Sequence, residues 1–160
     1  MSMKIGSDAF EHGKQIPRRF TGEGEDVSPP LWWDGVPDGT KQLVLICDDP
    51  DAPTQEPWVH WVLYGLPEGT TSLPEGVPAS ERLELPSGAL QGKNSWPHGV
   101  TTGYRGPMPP EGHGLHHYRF RLYALDNAFD FQPGLEKQTI LSAITGHVLA
   151  EAELVGTYER

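Results

Sequence analysis

From His116 to Leu125 the chain reads HHYRFRLYAL, and it alternates. Tyr118, Phe120, Leu122 and Ala124 share one side of an extended chain, while Arg119, Arg121 and Tyr123 share the other. A period of two fits a strand with one face on a core and does not fit a helix. Two more segments have strand character without alternation. Lys41 to Cys47, KQLVLIC, is a short continuous apolar run with β-branched residues, the pattern of a strand buried on both faces. Trp58 to Leu66, WVHWVLYGL, is a second such run and ends at Pro67.

Only one segment has helical spacing. Ile140, Leu141, Ile144, Val148 and Leu149 predict a helix over 138–149, weakened near its end by Gly146. The tail AELVGTYER returns to a strand-like pattern. With 19 glycines and 16 prolines in 160 residues, turns are frequent and no repeat is present. The expected fold is mainly β: two antiparallel sheets packed as a β-sandwich, with one helix near the C-terminus. Residues 1–160 fit a single domain, long enough to bury a core without staples. Residues 17–40 read as an ordered loop pinned by Leu31, Trp32 and Trp33, and 68–100 as a surface excursion with few apolar anchors.

A net charge of -10 disfavours nucleic acid and anionic membranes as partners. The lone Cys47 rules out an internal disulfide framework. The first ten residues lack an apolar signal core and no run reaches membrane-spanning length, so a cytoplasmic location is expected.

Three stretches could carry chemistry. The first, ICDDPDAP, places Asp48, Asp49 and Asp51 beside Pro50 and Pro53 just past an apolar strand. The prolines stiffen it, and Asp49 and Asp48 fall on opposite sides if the strand continues, with Asp48 expected to face outward into solvent. A solvated turn would have the same composition. The second is His60, within an apolar strand and on nominal parity with Trp58, Val62 and Tyr64. A satisfied core histidine is the plain alternative. The third, GYRGPMPPEGHGLHHY, is a Gly/Pro-rich loop running into the alternating strand, where backbone N–H groups can approach a ligand. It lacks the Lys and following helix of a phosphate-cradling P-loop. Strand parity turns His116 inward with Tyr118, and His117 outward with Arg119.

DPDAP, then WVHW, then YRGPMPP followed by GLHHYRFRLYAL closely resemble, in that order, the phosphatidylethanolamine-binding protein family. The match is nearest its bacterial, Raf-kinase-inhibitor-like branch and runs from FTGEGEDVSPPLWW nearly to the end. The resemblance implies a β-sandwich with a small surface pocket for phosphate, phosphorylated head groups or similar anions. It assigns Asp49, with Asp51 and Pro53 beside it, His60, His116 and Tyr118 to the pocket, and Gly106, Pro107 and Met108 to its backbone rim. It implies a non-enzymatic protein with no cofactor or metal that modulates a kinase or protease partner, and is compatible with a homodimer. His117 stands where many members have Arg, which fits its outward assignment; Met108 replaces a smaller residue and is expected to narrow or reshape the pocket mouth, whereas the chain ends soon after GTYER, without the longer C-terminal helix of animal members, which implies a more open pocket. The family also implies a cis bond at Glu56–Pro57.

Histidines beside Asp49 are expected to gain positive charge, so that anion affinity rises as pH falls toward 6. Two rivals share these residues. Asp49, His60 and His116 have the composition of a two-His, one-carboxylate metal site that could activate water for a hydrolase. The 68–100 stretch could act as a protease-inhibitor loop.

Overall fold

A computed structural model describes residues 2–160. Its strands form two antiparallel sheets. The smaller contains β1 (Lys4–Gly6), β2 (Leu31–Asp34) and β5 (Ser72–Leu73) in the order β1-β2-β5. The larger contains β3 (Gln42–Asp49), β4 (Trp58–Pro67), β6 (Leu90–Gln91), β7 (His116–Leu125) and β8 (Val148–Tyr158) in the order β6-β4-β3-β7-β8. The sandwich expected from the strand patterns is therefore present.

The continuous apolar run of β3 has a direct cause: the large sheet is covered on both faces. Leu43, Leu45 and Cys47 pack with Trp61, Leu63, Phe120 and Leu122 into the core shared with Leu31, Trp33 and Leu73 of the small sheet. Val44 and Ile46 point the other way and pack with Val62, Tyr64, Tyr123 and Leu125 under Ile140 and Ile144 of the helix. Burial on both faces removes the need for alternation. β7 alternates because His117 and residues 119 and 121 reach solvent at least in part.

The helix, α1, runs Lys137–Ile144, shorter than the spacing predicts. Gly146 adopts φ 85°, a left-handed conformation that ends helices, and the His147 N–H caps the Ile144 carbonyl. Val148 and Leu149 happen to continue the helical spacing, yet they open β8 and are exposed. The 68–100 segment is also better anchored than expected: Leu73, Leu83, Ala89, Leu90, Gln91 and Asn94 are buried. The Gln91 side chain accepts from Trp61 Nε1 at 2.7 Å and donates to the carbonyls of Pro78 and Ser80. Among the described residues the one cis peptide bond joins Leu85 and Pro86, so Glu56–Pro57 is trans. Glu56 is exposed, and trans is the ordinary preference of an X–Pro bond.

β8 is a sheet edge. Its last part is covered by residues 13–16, through Gly13 N to Val155 O (2.7 Å), Ile16 N to Thr157 O (2.8 Å) and Thr157 N to Lys14 O (2.9 Å).

Asp48 corrects another expectation. It does lie opposite Asp49, but it is 4% exposed rather than solvated. Arg119 of β7 donates to Oδ1 at 2.9 Å and Lys137 of α1 to Oδ2 at 3.0 Å, so the carboxylate fastens the helix start to the sheet. Breaking a buried pair leaves charge uncompensated. Asp48→Ala is expected to cost about 3 kcal/mol, read as a lower urea midpoint at unchanged m-value.

Candidate functional site

β3, β4 and β7 converge at one end of the large sheet. Asp49 ends β3, His60 lies near the start of β4, and His116 and Tyr118 begin β7. Pairing of β3 with β4 shifts register there: Cys47 faces Trp61, whereas Asp48 faces Val59. His60 is the extra residue of a β-bulge, which lets His60 and Trp61 point to the same side in succession. Nominal parity placed His60 with Val62 and Tyr64; the bulge separates them, since Val62 and Tyr64 pack under the helix. The pairing of His60 with Trp58 survives, and both line a cavity of about 250 Å³.

That cavity also brings together Asp49, Pro53, Met108, His116 and Tyr118. Three expected residues sit beside it instead. Asp51 Oδ2 accepts from the backbone N–H of His117 at 2.8 Å and meets its ring at 2.8 Å, on the exposed side. Gly106 N donates to Asp26 Oδ1 at 2.7 Å, and the Pro107 carbonyl accepts from Gly22 N at 2.9 Å. Sequence reasoning missed Ala52, Thr54, Trp58, Trp96, Pro109 and Pro110 as lining residues. Trp96 comes from the 68–100 excursion; a tryptophan in so polar a stretch was the available signal. It stands edge-on to His60 and Trp58, with ring centroids 5.0 and 5.5 Å away, under the guanidinium of Arg105.

Asp49 and His116 are both buried and bonded to each other, Oδ2 accepting from Nδ1 at 2.6 Å. Asp49 Oδ1 accepts from the Asp51 N–H at 2.8 Å, so the stiff DDPDAP turn closes on its own first pocket carboxylate. With Nδ1 committed, a neutral His116 accepts at Nε2, and His113 donates there from Nδ1 at 2.6 Å. His113, also missed, lies between Gly112 and Gly114 in the loop before β7.

His60 is held differently. Its Nδ1 is 2.6 Å from the Arg105 carbonyl, which can only accept, so Nδ1 carries the proton. No described residue bonds Nε2. No buried side-chain polar atom among the described residues lacks a partner, so Nε2 reaches the cavity. Burial lowers the His60 pKa to about 4, outweighing the bond to Arg105 and the charges of Asp49 and Asp48. The imidazolium expected at pH 6 does not form at His60, where desolvation outweighs the nearby carboxylates. Burial, with Asp49 second, pushes the Tyr118 phenol up, so its hydroxyl remains a donor. Cys47 is core, and burial followed by Asp48 and Asp49 raises its thiol well above the usual value, which disfavours a thiolate nucleophile. Among the described residues no three His, Cys, Asp or Glu side chains are grouped to hold a metal ion.

A β-sandwich that ends one sheet in a small, mainly apolar cavity lined by histidine, carboxylate and tyrosine has the build of a ligand-binding protein. Comparison with known proteins fixes which kind. The family described as phosphatidylethanolamine-binding protein matches residues 6–159. A UPF0098 protein of Methanothermobacter thermautotrophicus is 51% identical over 158 residues, covering 99% of both chains. Escherichia coli YbcL, described as a member of the mammalian family, superposes with a TM-score of 0.90 at 31% identity, over 100% of this chain and 99% of that one. A homologue from Chlamydia trachomatis gives 0.87 at 37%, over 99% and 98%. The chain belongs to the phosphatidylethanolamine-binding protein family.

His60 also sets a pH signature. The unfolded chain protonates it near 6.5 and the folded chain near 4, so between these values the unfolded state binds more protons. Stability is lost as pH falls through that window. Relative to His60→Leu, the wild-type chain is expected to lose about 3 kcal/mol between pH 7 and pH 3.5 in parallel urea titrations. A constant difference would contradict a buried, neutral His60.

Proposed function

We propose that this chain is a non-enzymatic binding protein for small anions or phosphorylated head groups, acting by regulation of a protein partner such as a kinase or protease. The observation that carries the binding half is the convergence of His60 Nε2, the Tyr118 hydroxyl and the Asp49–His116 pair on one small cavity. At about 250 Å³ it lies below the roughly 300–1,000 Å³ typical of drug-sized ligands, which suits a head group rather than a large molecule. Trp58, Trp96, Met108 and Pro110 supply an apolar wall that strengthens polar contacts by excluding water. The regulatory half rests on family membership. A cytoplasmic single domain of residues 1–160, with the homodimer as an open assembly, completes the reading.

The cavity offers a lone pair at His60 and a proton at Tyr118. A fully ionised anion must therefore bring a proton to His60, whereas a monoprotonated one carries its own. Calorimetry with sulfate and with phosphate at pH 5.5 and pH 8 separates the two. Affinity for sulfate, which does not titrate in this range, is expected to rise as pH falls, with proton uptake visible in buffers of different ionisation heat. Equal sulfate affinities would overturn the role of His60, and no binding of either ion would overturn the anion reading. Tyr118→Phe is expected to weaken anion binding about tenfold, the worth of one hydrogen bond to a charged group.

A further inference from the structure

The FTGEGED segment, residues 20–26, bonds to Gly106 and Pro107 beside the cavity but lines none of it. Asp26 is the one non-glycine residue with positive φ among the described residues, at 58°. That conformation costs of order 1 kcal/mol and persists only where the surroundings require it. From there Asp26 Oδ1 accepts the Gly106 N–H at 2.7 Å, across eighty residues of sequence. Its own N–H is held by the Arg19 carbonyl at 3.0 Å.

The Gly106 N–H and the Arg105 C=O belong to one peptide plane, and in a trans peptide they point in opposite directions. Asp26 grips one end of that plane. The other end accepts the His60 Nδ1 proton at 2.6 Å. Two further bonds strap the segment: Arg105 N to His60 O at 3.0 Å and Gly22 N to Pro107 O at 2.9 Å. Position 106 admits no side chain, because a Cβ there would stand 2.0 Å from the Phe20 carbonyl oxygen.

We propose that Asp26 is a positioning residue that sets the hydrogen-bond polarity of the cavity: through the Arg105–Gly106 peptide it fixes His60 as the Nδ1–H tautomer, with the Nε2 lone pair facing the ligand. A carboxylate accepting the N–H polarises the peptide, which makes its carbonyl a better acceptor for His60. A neutral His60 then selects a ligand that presents a hydrogen at Nε2, such as a monoprotonated phosphoryl group or a carboxylic acid. The choice of ligand rests on the anion-binding reading; the tautomer does not.

The test uses the full 15N-labelled chain at neutral pH, with two-bond 15N–1H spectra of the imidazoles and phosphate calorimetry. Wild-type His60 is expected to show one protonated nitrogen, Nδ1. Asp26→Gly removes the acceptor while keeping a residue at home in the left-handed region. It is expected to give a mixture of His60 tautomers and to weaken phosphate binding in proportion to the Nδ1–H tautomer lost, about twofold for an even mixture. Asp26→Asn retains a side-chain oxygen and tolerates positive φ, so it should preserve the tautomer. A wild-type His60 protonated at Nε2, or a D26G chain with unchanged tautomer, overturns the proposal. If D26G fails to fold, the wild-type Gly106 amide carries the test: protection from hydrogen exchange is expected, and a freely exchanging amide refutes the bond. A tautomer shift in a chain that binds no phosphate upholds the positioning and refutes the anion reading.

Discussion

The extra residue in β4 lets His60 and Trp61 point to the same side of the large sheet. Under strict alternation, one of them would lie under the helix. Trp61 is needed in the core, where it packs with Cys47 and Tyr104 and fixes Gln91. His60 is needed in the cavity. The bulge supplies both, and the bonds around it absorb the irregularity: the His60 backbone carbonyl accepts from Arg105 N and its ring donates back to the Arg105 carbonyl. The geometry of the cavity wall thus follows from one broken rung in the β3–β4 ladder.

Where a strand is regular, its residues announce their faces. The alternation of β7 correctly separates Tyr118, Phe120 and Leu122 from Arg119 and Arg121, and puts His116 in the cavity and His117 outside. The unbroken apolar run of β3 correctly indicates cover on both faces. Irregularity is what sequence pattern does not transmit. The bulge leaves no mark around His60, so its partners Val62 and Tyr64 were misassigned. The end of α1 is decided by the left-handed Gly146, while Val148 and Leu149 imitate one more helical turn. Trp96 and His113 reach the site from loops, where no periodicity says what a side chain will meet. The family resemblance assigned Asp51 to the pocket, yet its contact with His117 depends on how the turn folds back across β7.

The same turn shows how an acidic chain keeps charge under control. Asp48 and Asp49 are neighbours, and both are nearly fully buried. The sheet passes between them. Asp48 meets two cations on the helix side, where the fold needs fastening. Asp49 meets a histidine and a backbone N–H on the cavity side. A single strand therefore delivers consecutive acids to two environments, one under the helix and one at the cavity.

β8 is the longest strand and lies at a sheet edge, which makes it the place where another polypeptide could most readily be added. Residues 13–16 already occupy the backbone groups near Val155 and Thr157. The earlier part carries exposed Glu151 and Glu153. A second copy approaching this edge would bring the same acids toward them, within an overall charge of -10 on each chain. The open margin of the sheet thus carries acids along a strand otherwise built largely of Val, Leu and Ala, with Glu153 held by Arg121 of β7 at 2.9 Å.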